Sequence, residues 1–165
     1  MKKVLIITYY WPPSGGIALH RCLKFSKYLR EFGWEPVICT ADNPEYPVLD
    51  DDNFKDVLKG TKVLKTKIWE PYNFFKLITG KKKEERIHNV FIEEEKPGLA
   101  HKLGIWIRGN LFIPDARKFW IRPSIKFLKK YLKENHVDAI FTNGPPQSTH
   151  MIAYGVKRKL GIPWH

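Results

Sequence analysis

The sequence has 165 residues, of which 43% are hydrophobic and 14% aromatic, so it is long and apolar enough for one globular domain with a buried core. It contains no apolar run near the roughly 20 residues of a membrane-spanning helix. With 29 Lys and Arg against 17 Asp and Glu, the net charge of +12 favours an anionic partner such as a phosphorylated substrate, an anionic lipid or a nucleic acid.

The first predicted element is a buried strand over residues 4–8, because this run is continuously apolar and rich in β-branched side chains. A proline pair ends the strand, and Ser14, Gly15 and Gly16 follow, where two glycines permit a tight turn and close approach of a ligand. A glycine loop before a helix presents free N–H groups and the positive end of the helix dipole. The loop therefore predicts an anion site, with a tight turn that binds nothing as the alternative.

The helix after this loop is predicted to end near Gly33. Its apolar residues recur at intervals of four, three and four, which predicts one buried face. That predicted face consists of Ala18, Cys22, Phe25 and Leu29.

Further strands are predicted over residues 35–40, 62–69 and 138–142, and amphipathic helices over residues 124–135 and 147–160. The acidic triplet at 50–52 lacks the spacing of a calcium loop, so we interpret it as a solvated loop or as the N-cap of a short helix over residues 54–58. Residues 161–165 have the pattern of one more strand beginning.

Strands alternating with helices predict an α/β fold with a doubly wound, Rossmann-like, mainly parallel sheet, in which ligands bind at the carboxyl ends of the strands. We expect residues 1–165 to form one such domain, cut from the N-terminal part of a longer protein because the pattern breaks off at a strand. Residues 70–98 are charged and of low complexity, which predicts a mobile insertion.

Two further features of the sequence concern its cysteines and its segment around Trp106. Cys22 and Cys39 lie on a predicted helix and strand without metal-ligand spacing, so we expect two buried thiols in a reducing cytoplasm and no metal site. Residues 99–113 place Trp106 between Lys102 and Arg108, which fits a helix lying in a membrane interface, with a helix of the core or of the domain edge as the alternative.

Three blocks occur in order: KVLIITYYWPPSGGIALHRCLKFSKYLREFGWEPVICT, IPDARKFWIRPSIK and DAIFTNGPPQSTHMIAYGVKRKLGIPW. Together they resemble the N-terminal domain of GT-B-fold glycosyltransferases of the retaining family 4, or group 1, type. The resemblance implies two Rossmann-like domains facing each other across a cleft. It also implies that the N-terminal domain binds mainly the acceptor, while a C-terminal domain beyond these residues binds the nucleotide-sugar donor.

The activity implied by the resemblance is transfer of a sugar, with retention and without a metal, from a nucleotide-sugar to a glycan or lipid-linked acceptor. No cofactor besides the donor substrate is implied, and we expect the isolated domain to be inactive because half of the transition-state contacts are missing. Surface-polysaccharide synthesis in the cytoplasm, at the inner face of a membrane, is the setting that the family suggests.

By position, the resemblance matches Ser14, Gly15 and Gly16 with the loop beside the donor diphosphate. Other polar residues near the predicted cleft are expected to contact the acceptor, a sugar or a phosphate. They are His20, Arg21, Asp115, Asn143, Ser148 and His150. For Arg21 and His150, a simple surface position is the alternative.

A second function class stays open on the residues alone, namely a non-enzymatic basic α/β module that binds anionic membranes or polyanions. The net charge of +12, the lysine-rich helix at 124–135 and the segment around Trp106 favour it. Nucleic acid ranks below the other anionic partners, because no helix-turn-helix, zinc-finger or RNA-binding signature is present.

Overall fold

A computed structural model describes residues 1–69 and 112–165. The strands are β1 (Lys2–Ile7), β2 (Trp34–Asp42), β3 (Lys62–Lys67) and β4 (Ala139–Thr142). The α-helices are α1 (Ile17–Tyr28), α2 (Lys118–Glu134) and α3 (Ser148–Leu160), and two 3₁₀ helices cover Leu29–Phe32 and Asp51–Asp56. The predicted insertion at residues 70–98 and the segment with Lys102, Trp106 and Arg108 lie outside the described residues.

The strands form one sheet in the order β3-β2-β1-β4, and each neighbouring pair is parallel. This confirms the predicted α/β, Rossmann-like class. The prediction of a further strand after residue 160 is supported by Trp164, which forms a parallel bridge with Ile140. There the Ile140 N–H donates to the Pro163 carbonyl at 2.8 Å and the His165 N–H donates to the Ile140 carbonyl at 3.0 Å.

Side chains of β1 alternate between two cores, one on each face of the sheet. Val4 and Ile6 pack with α1, whereas Leu5 and Ile7 pack with α2 and α3. Because both faces are covered, β1 is apolar at every central position rather than at alternate ones, which is the pattern expected of a buried parallel strand. Each fully buried aliphatic side chain contributes about 1.5–3 kcal/mol relative to an exposed one.

The predicted buried face of α1 is wrong by about one residue. The buried residues are Leu19, Cys22, Leu23 and Ser26, while Phe25 is 47% exposed and packs its ring on Phe141 at 5.2 Å. Ser26 can be buried because its hydroxyl donates to the Leu23 carbonyl at 2.7 Å, which satisfies the polar group within the helix. A prediction that counts only apolar residues does not place a serine on the buried face, so it selects the wrong face.

The helix α2 begins at Lys118 and not at Ser124 as predicted, so Pro123 lies inside it. A proline removes one helical N–H, which usually places a boundary there. The earlier start is stabilised by Trp120, which is fully buried, and by the Lys118 N–H, which donates to the Asp115 carbonyl at 3.2 Å. Burial of this large ring outweighs one missing backbone hydrogen bond.

The acidic triplet caps the 3₁₀ helix Asp51–Asp56, because Asp50 accepts a hydrogen bond from the Asp52 N–H at 3.0 Å. The predicted N-cap is confirmed, although the helix lies about three residues earlier than 54–58. Asp56 at its end accepts from Lys24 Nζ at 2.6 Å and from Lys27 Nζ at 2.5 Å. These pairs attach the 3₁₀ helix to α1.

The Asp56 pairs make the stability of the protein dependent on pH in the acid range. The hydrogen bonds from Lys24 and then Lys27 lower the pKa of Asp56 from 3.8 to about 2. A carboxyl group whose pKa is lower in the folded state stabilises the fold above its unfolded pKa, and this contribution is lost as the pH falls toward 2. Between pH 4 and pH 2, wild-type protein should therefore lose stability more steeply than Asp56→Asn, as measured by urea unfolding. Equal slopes for both proteins would contradict the ion-pair assignment.

Both thiols are buried and free, as predicted. Burial raises the pKa of Cys22 to about 11 and that of Cys39 to about 12, so both stay protonated at neutral pH. Within residues 1–69 and 112–165, no cluster of His, Cys, Asp and Glu is placed to hold a metal ion. None of the helices in this part of the chain is long and apolar enough to cross a bilayer.

Candidate site at the carboxyl edge of the sheet

The loops that follow β1 and β4 lie next to each other at the carboxyl edge of the sheet, because these two strands are parallel neighbours. The first loop leads into α1 and the second into α3, so two helix N-termini approach this edge. All predicted sugar and phosphate contacts within the described residues lie in these loops, in the first turns of the two helices, or in the segment before α2. The predicted contacts therefore share one edge of the sheet, and their binding of a sugar or a phosphate stays a prediction.

The glycine loop is held by another part of the chain. Ser14 forms an antiparallel bridge with Leu49, and the Gly15 N–H donates to the Val48 carbonyl at 2.9 Å. A side chain at Gly15 would bring its Cβ to 2.8 Å from Val48 Cγ1, so this glycine permits the close approach of two backbone segments. The Ser14 N–H donates to the Trp11 carbonyl at 2.9 Å. The amides of Ser14 and Gly15 are therefore already hydrogen-bonded within the protein.

Free amides begin one residue later, at the start of α1. Gly16 has φ of 83° at the N-cap position, no side chain caps the helix, and its first turn holds no acidic residue. In the described part of the chain, Gly16 and Ile17 are exposed residues and their amides have no hydrogen-bond acceptor. Of the predicted phosphate loop, Gly16 is thus the residue whose backbone is available to an anion, and Ile17 joins it.

Asn143 connects the end of β4 to α1. Its Nδ2 donates to the Ala18 carbonyl at 3.2 Å, and its Oδ1 accepts from Arg21 Nη1 at 3.2 Å. The Asn143 side chain is buried, whereas Arg21 and its neighbour His20 are exposed. One hydrogen bond therefore orients the Arg21 guanidinium and leaves its other donors available at the edge of the site.

Asp115 occupies the N-terminus of the other helix, α3. Its Oδ2 accepts from the Ser148 N–H at 2.7 Å, and its Oδ1 accepts from Ser148 Oγ at 2.7 Å and from the Arg117 N–H at 2.8 Å. Both carboxylate oxygens are engaged, so Asp115 caps α3 from a distant part of the sequence and also fixes the turn before α2. Asp115 and Ser148, both predicted to contact a sugar, contact each other.

His150 lies against the loop after β4. Its Nδ1 is 2.8 Å from Thr142 Oγ1, which also accepts from Trp164 Nε1 at 2.9 Å. The indole N–H can only donate, so it donates to Thr142 Oγ1. With the hydrogens assigned so that every donor is used, the Thr142 hydroxyl donates to His150 Nδ1, and the imidazole hydrogen lies on Nε2. His150 is therefore half-buried and oriented, unlike a simple surface histidine. Thr142 was not among the predicted site residues, although a threonine closing a buried strand is a signal of this edge.

Gly144 provides the space that His150 occupies. A Cβ at this position would lie 2.6 Å from His150 Nε2, and the ring is held by Thr142 on its other side. We expect Gly144→Ala to lower the free energy of unfolding by about 1–2 kcal/mol, because the ring must move and lose its hydrogen bond. Urea unfolding measures this, and His150→Ala in the same chain should recover most of the loss. A destabilisation that persists in the double variant would contradict a steric cause.

No family model and no curated protein matches the chain. Among solved structures, the chain is similar to that of Phytolacca americana apo UGT2, a glycosyltransferase with the GT-B fold. The TM-score is 0.50 and the sequence identity is 15%, and the match covers 99% of this chain and 28% of that chain. The chain thus spans less than a third of the length of this neighbour, and at this identity the likeness supports the Rossmann-like fold.

Proposed function

We propose that this chain is the acceptor-side domain of a glycosyltransferase that moves a sugar from a nucleotide-sugar to a glycan or lipid-linked acceptor. The observation that carries the proposal is the uncapped N-terminus of α1 beside the oriented Arg21, at the carboxyl edge of a parallel sheet. Its support is the likeness in fold to a glycosyltransferase and the resemblance of the three sequence blocks. The proposed setting is the cytoplasm.

The two helix N-termini at this edge differ in whether a carboxylate from the described residues binds to them. The N-terminus of α3 already binds the carboxylate of Asp115, so its dipole is matched within the protein. At the N-terminus of α1, the described residues supply no carboxylate, and the amides of Gly16 and Ile17 have no acceptor among them. A diphosphate is therefore expected at α1, where two amides and Arg21 supply donors, and not at α3.

This placement gives the residues separate roles in the proposed reaction. As the bond between sugar and diphosphate breaks, negative charge develops on the leaving phosphate, and donors already in position stabilise it. Gly16 and Ile17 supply backbone N–H groups, and Arg21 supplies a permanent positive charge. Asn143, Asp115 and Ser148 act as positioning residues, because they hold Arg21 and the two loops. His20 and His150 remain the proposed contacts for acceptor hydroxyl groups.

The experiment is nucleoside diphosphate release by the full-length natural protein with a panel of nucleotide-sugars. We expect one donor to be consumed, and Arg21→Gln to lower kcat/KM by about 10²-fold, in the range seen when one preorganised donor to a developing anion is removed. Arg158→Gln is the matched control, because Arg158 is an exposed arginine in the last turn of α3, away from the site. Failure to consume any nucleotide-sugar, or an unchanged rate with Arg21→Gln, would overturn the proposal.

A further inference from the structure

The outward surface of α2 carries positive charge in a single row. Arg122, Lys126, Lys130 and Lys133 are all exposed and recur at intervals of four, four and three, so they follow one face of the helix. We call these four residues the cationic stripe. The helix contains one acidic residue, Glu134, at its last position.

Among residues 1–69 and 112–165, no ion pair neutralises the stripe. The ion pairs between described residues involve Asp52, Asp56, Glu35 and Asp138, and none includes a residue of the stripe. Like charges four residues apart on a helix repel each other, at a cost of a few tenths of a kcal/mol for each pair. An anionic surface that neutralised the whole row would remove this repulsion.

Apolar side chains are exposed at the end of the stripe nearest the candidate site. Trp69, Ile113 and Phe119 are 57%, 69% and 40% exposed, and the rings of Trp69 and Phe119 pack edge to face at 4.7 Å. We call these three residues the apolar end. A tryptophan, a phenylalanine and an isoleucine beside lysines are the residues with which amphipathic surfaces enter the headgroup region of a bilayer.

We propose that this face of α2 docks on an anionic lipid bilayer, with the cationic stripe on the headgroups and the apolar end inserted below them. The inference is independent of the proposed transferase activity. A bilayer is favoured over a nucleic acid because the rings of Trp69 and Phe119 pack edge to face on each other and Lys118 lies over the Phe119 ring at 5.1 Å, so the rings form one apolar cluster and not two separate platforms for stacked bases. The exposed aliphatic Ile113 likewise fits acyl chains and not phosphates.

Docking in this orientation places the candidate site beside the membrane. Phe119 at the apolar end is four residues from Asp115, which fixes the loop before α2 and the start of α3. The bilayer surface would therefore lie next to the edge at which the proposed acceptor enters. Should the transferase proposal also hold, this arrangement suits an acceptor anchored in lipid.

The test is vesicle flotation of the protein with phosphatidylcholine alone and with about 30% phosphatidylserine, at several salt concentrations. We expect binding to the anionic vesicles only, weakening steeply with salt because the screening length falls from about 10 Å at 0.1 M to about 3 Å at 1 M. The triple variant Lys126→Gln/Lys130→Gln/Lys133→Gln should lower the partition coefficient on the order of a hundredfold. Ile113→Ser should lower it at every salt concentration, because that side chain contributes no charge.

The matched control is Lys3→Gln/Lys55→Gln/Lys59→Gln, which removes the same three charges from exposed positions outside α2. It should retain most of the binding. Equal losses in both triple variants would overturn the docking face, since net charge alone would then explain the binding. Absence of vesicle binding by the wild-type protein would also overturn it. Binding to single-stranded RNA that needs the stripe, together with no effect of Ile113→Ser on vesicles, would assign the face to nucleic acid instead.

Discussion

Asp115→Ala is expected to lower the free energy of unfolding by about 3 kcal/mol, because it removes hydrogen bonds to a charged acceptor together with a helix cap. The carboxylate accepts from the backbone and the hydroxyl of Ser148 and from the Arg117 N–H, each at 2.7–2.8 Å. Without it, the N-terminus of α3 and the turn before α2 lose their common partner. Urea unfolding followed by circular dichroism measures the loss.

Three further variants separate the contacts of Asp115. Ser148→Ala removes the hydroxyl bond and keeps the cap on the backbone, so it should cost about 1 kcal/mol. Asp115→Asn keeps one acceptor oxygen and should give an intermediate loss. In the double variant Asp115→Ala/Ser148→Ala, the loss should be smaller than the sum of the single losses, because one contact is shared. Additive losses, or a cost for Asp115→Ala below about 0.5 kcal/mol, would contradict the role of Asp115 in joining the start of α3 to the turn before α2.

Thr66→Val is expected to have an effect of similar size, about 3 kcal/mol, because the Thr66 hydroxyl joins three elements in the buried core. It accepts from Trp120 Nε1 at 2.7 Å, lies 2.9 Å from Ser124 Oγ and donates to the Thr40 carbonyl at 3.3 Å. Valine has nearly the same shape, so the loss reports the buried polar groups left without a partner and not a cavity. Urea unfolding gives the size of the effect.

Thr66→Ser is the control for this network, since it keeps the hydroxyl and removes one methyl group. Thr66→Ser should lower the free energy of unfolding by about 1 kcal/mol. Trp120→Phe should cost less in the Thr66→Val background than in wild type, because the indole N–H has already lost its acceptor there. The near-ultraviolet circular dichroism of Trp120 should change with Thr66→Val and hardly with Thr66→Ser. If both Thr66 variants were equally destabilised, packing and not hydrogen bonding would account for the loss.

The glycine loop shows how the structure changes which residues of a predicted anion site have backbone amides available. The glycine loop was predicted to bind an anion through Ser14, Gly15 and Gly16, but the first two amides bind the chain at residues 11 and 48. Among the residues that the structure describes, the amides of Gly16 and Ile17 have no acceptor. In a sequence, a glycine pair can indicate that the backbone approaches a ligand closely or that it approaches another backbone segment closely. The second applies at Gly15.

The sequence by itself determined the order of the described strands and helices, the parallel Rossmann-like class and the stop at Gly33, which ends the 3₁₀ helix after α1. These features depend on apolar periodicity and on the local chemistry of glycine, proline and capping residues, which act over a few positions. The sequence also indicated the row of lysines on α2, because a helix of known phase fixes which residues share a face.

Only the tertiary structure decided the buried face of α1, the early start of α2 at Lys118, the pairing of Asp115 with Ser148 and the orientation of Arg21 by Asn143. Asp115 and Ser148 are 33 residues apart in sequence, and Arg21 and Asn143 are 122 apart. No local pattern specifies which of several polar residues at one sheet edge bond to one another. That choice is made by packing, which places some donors against protein acceptors and leaves others free for a ligand.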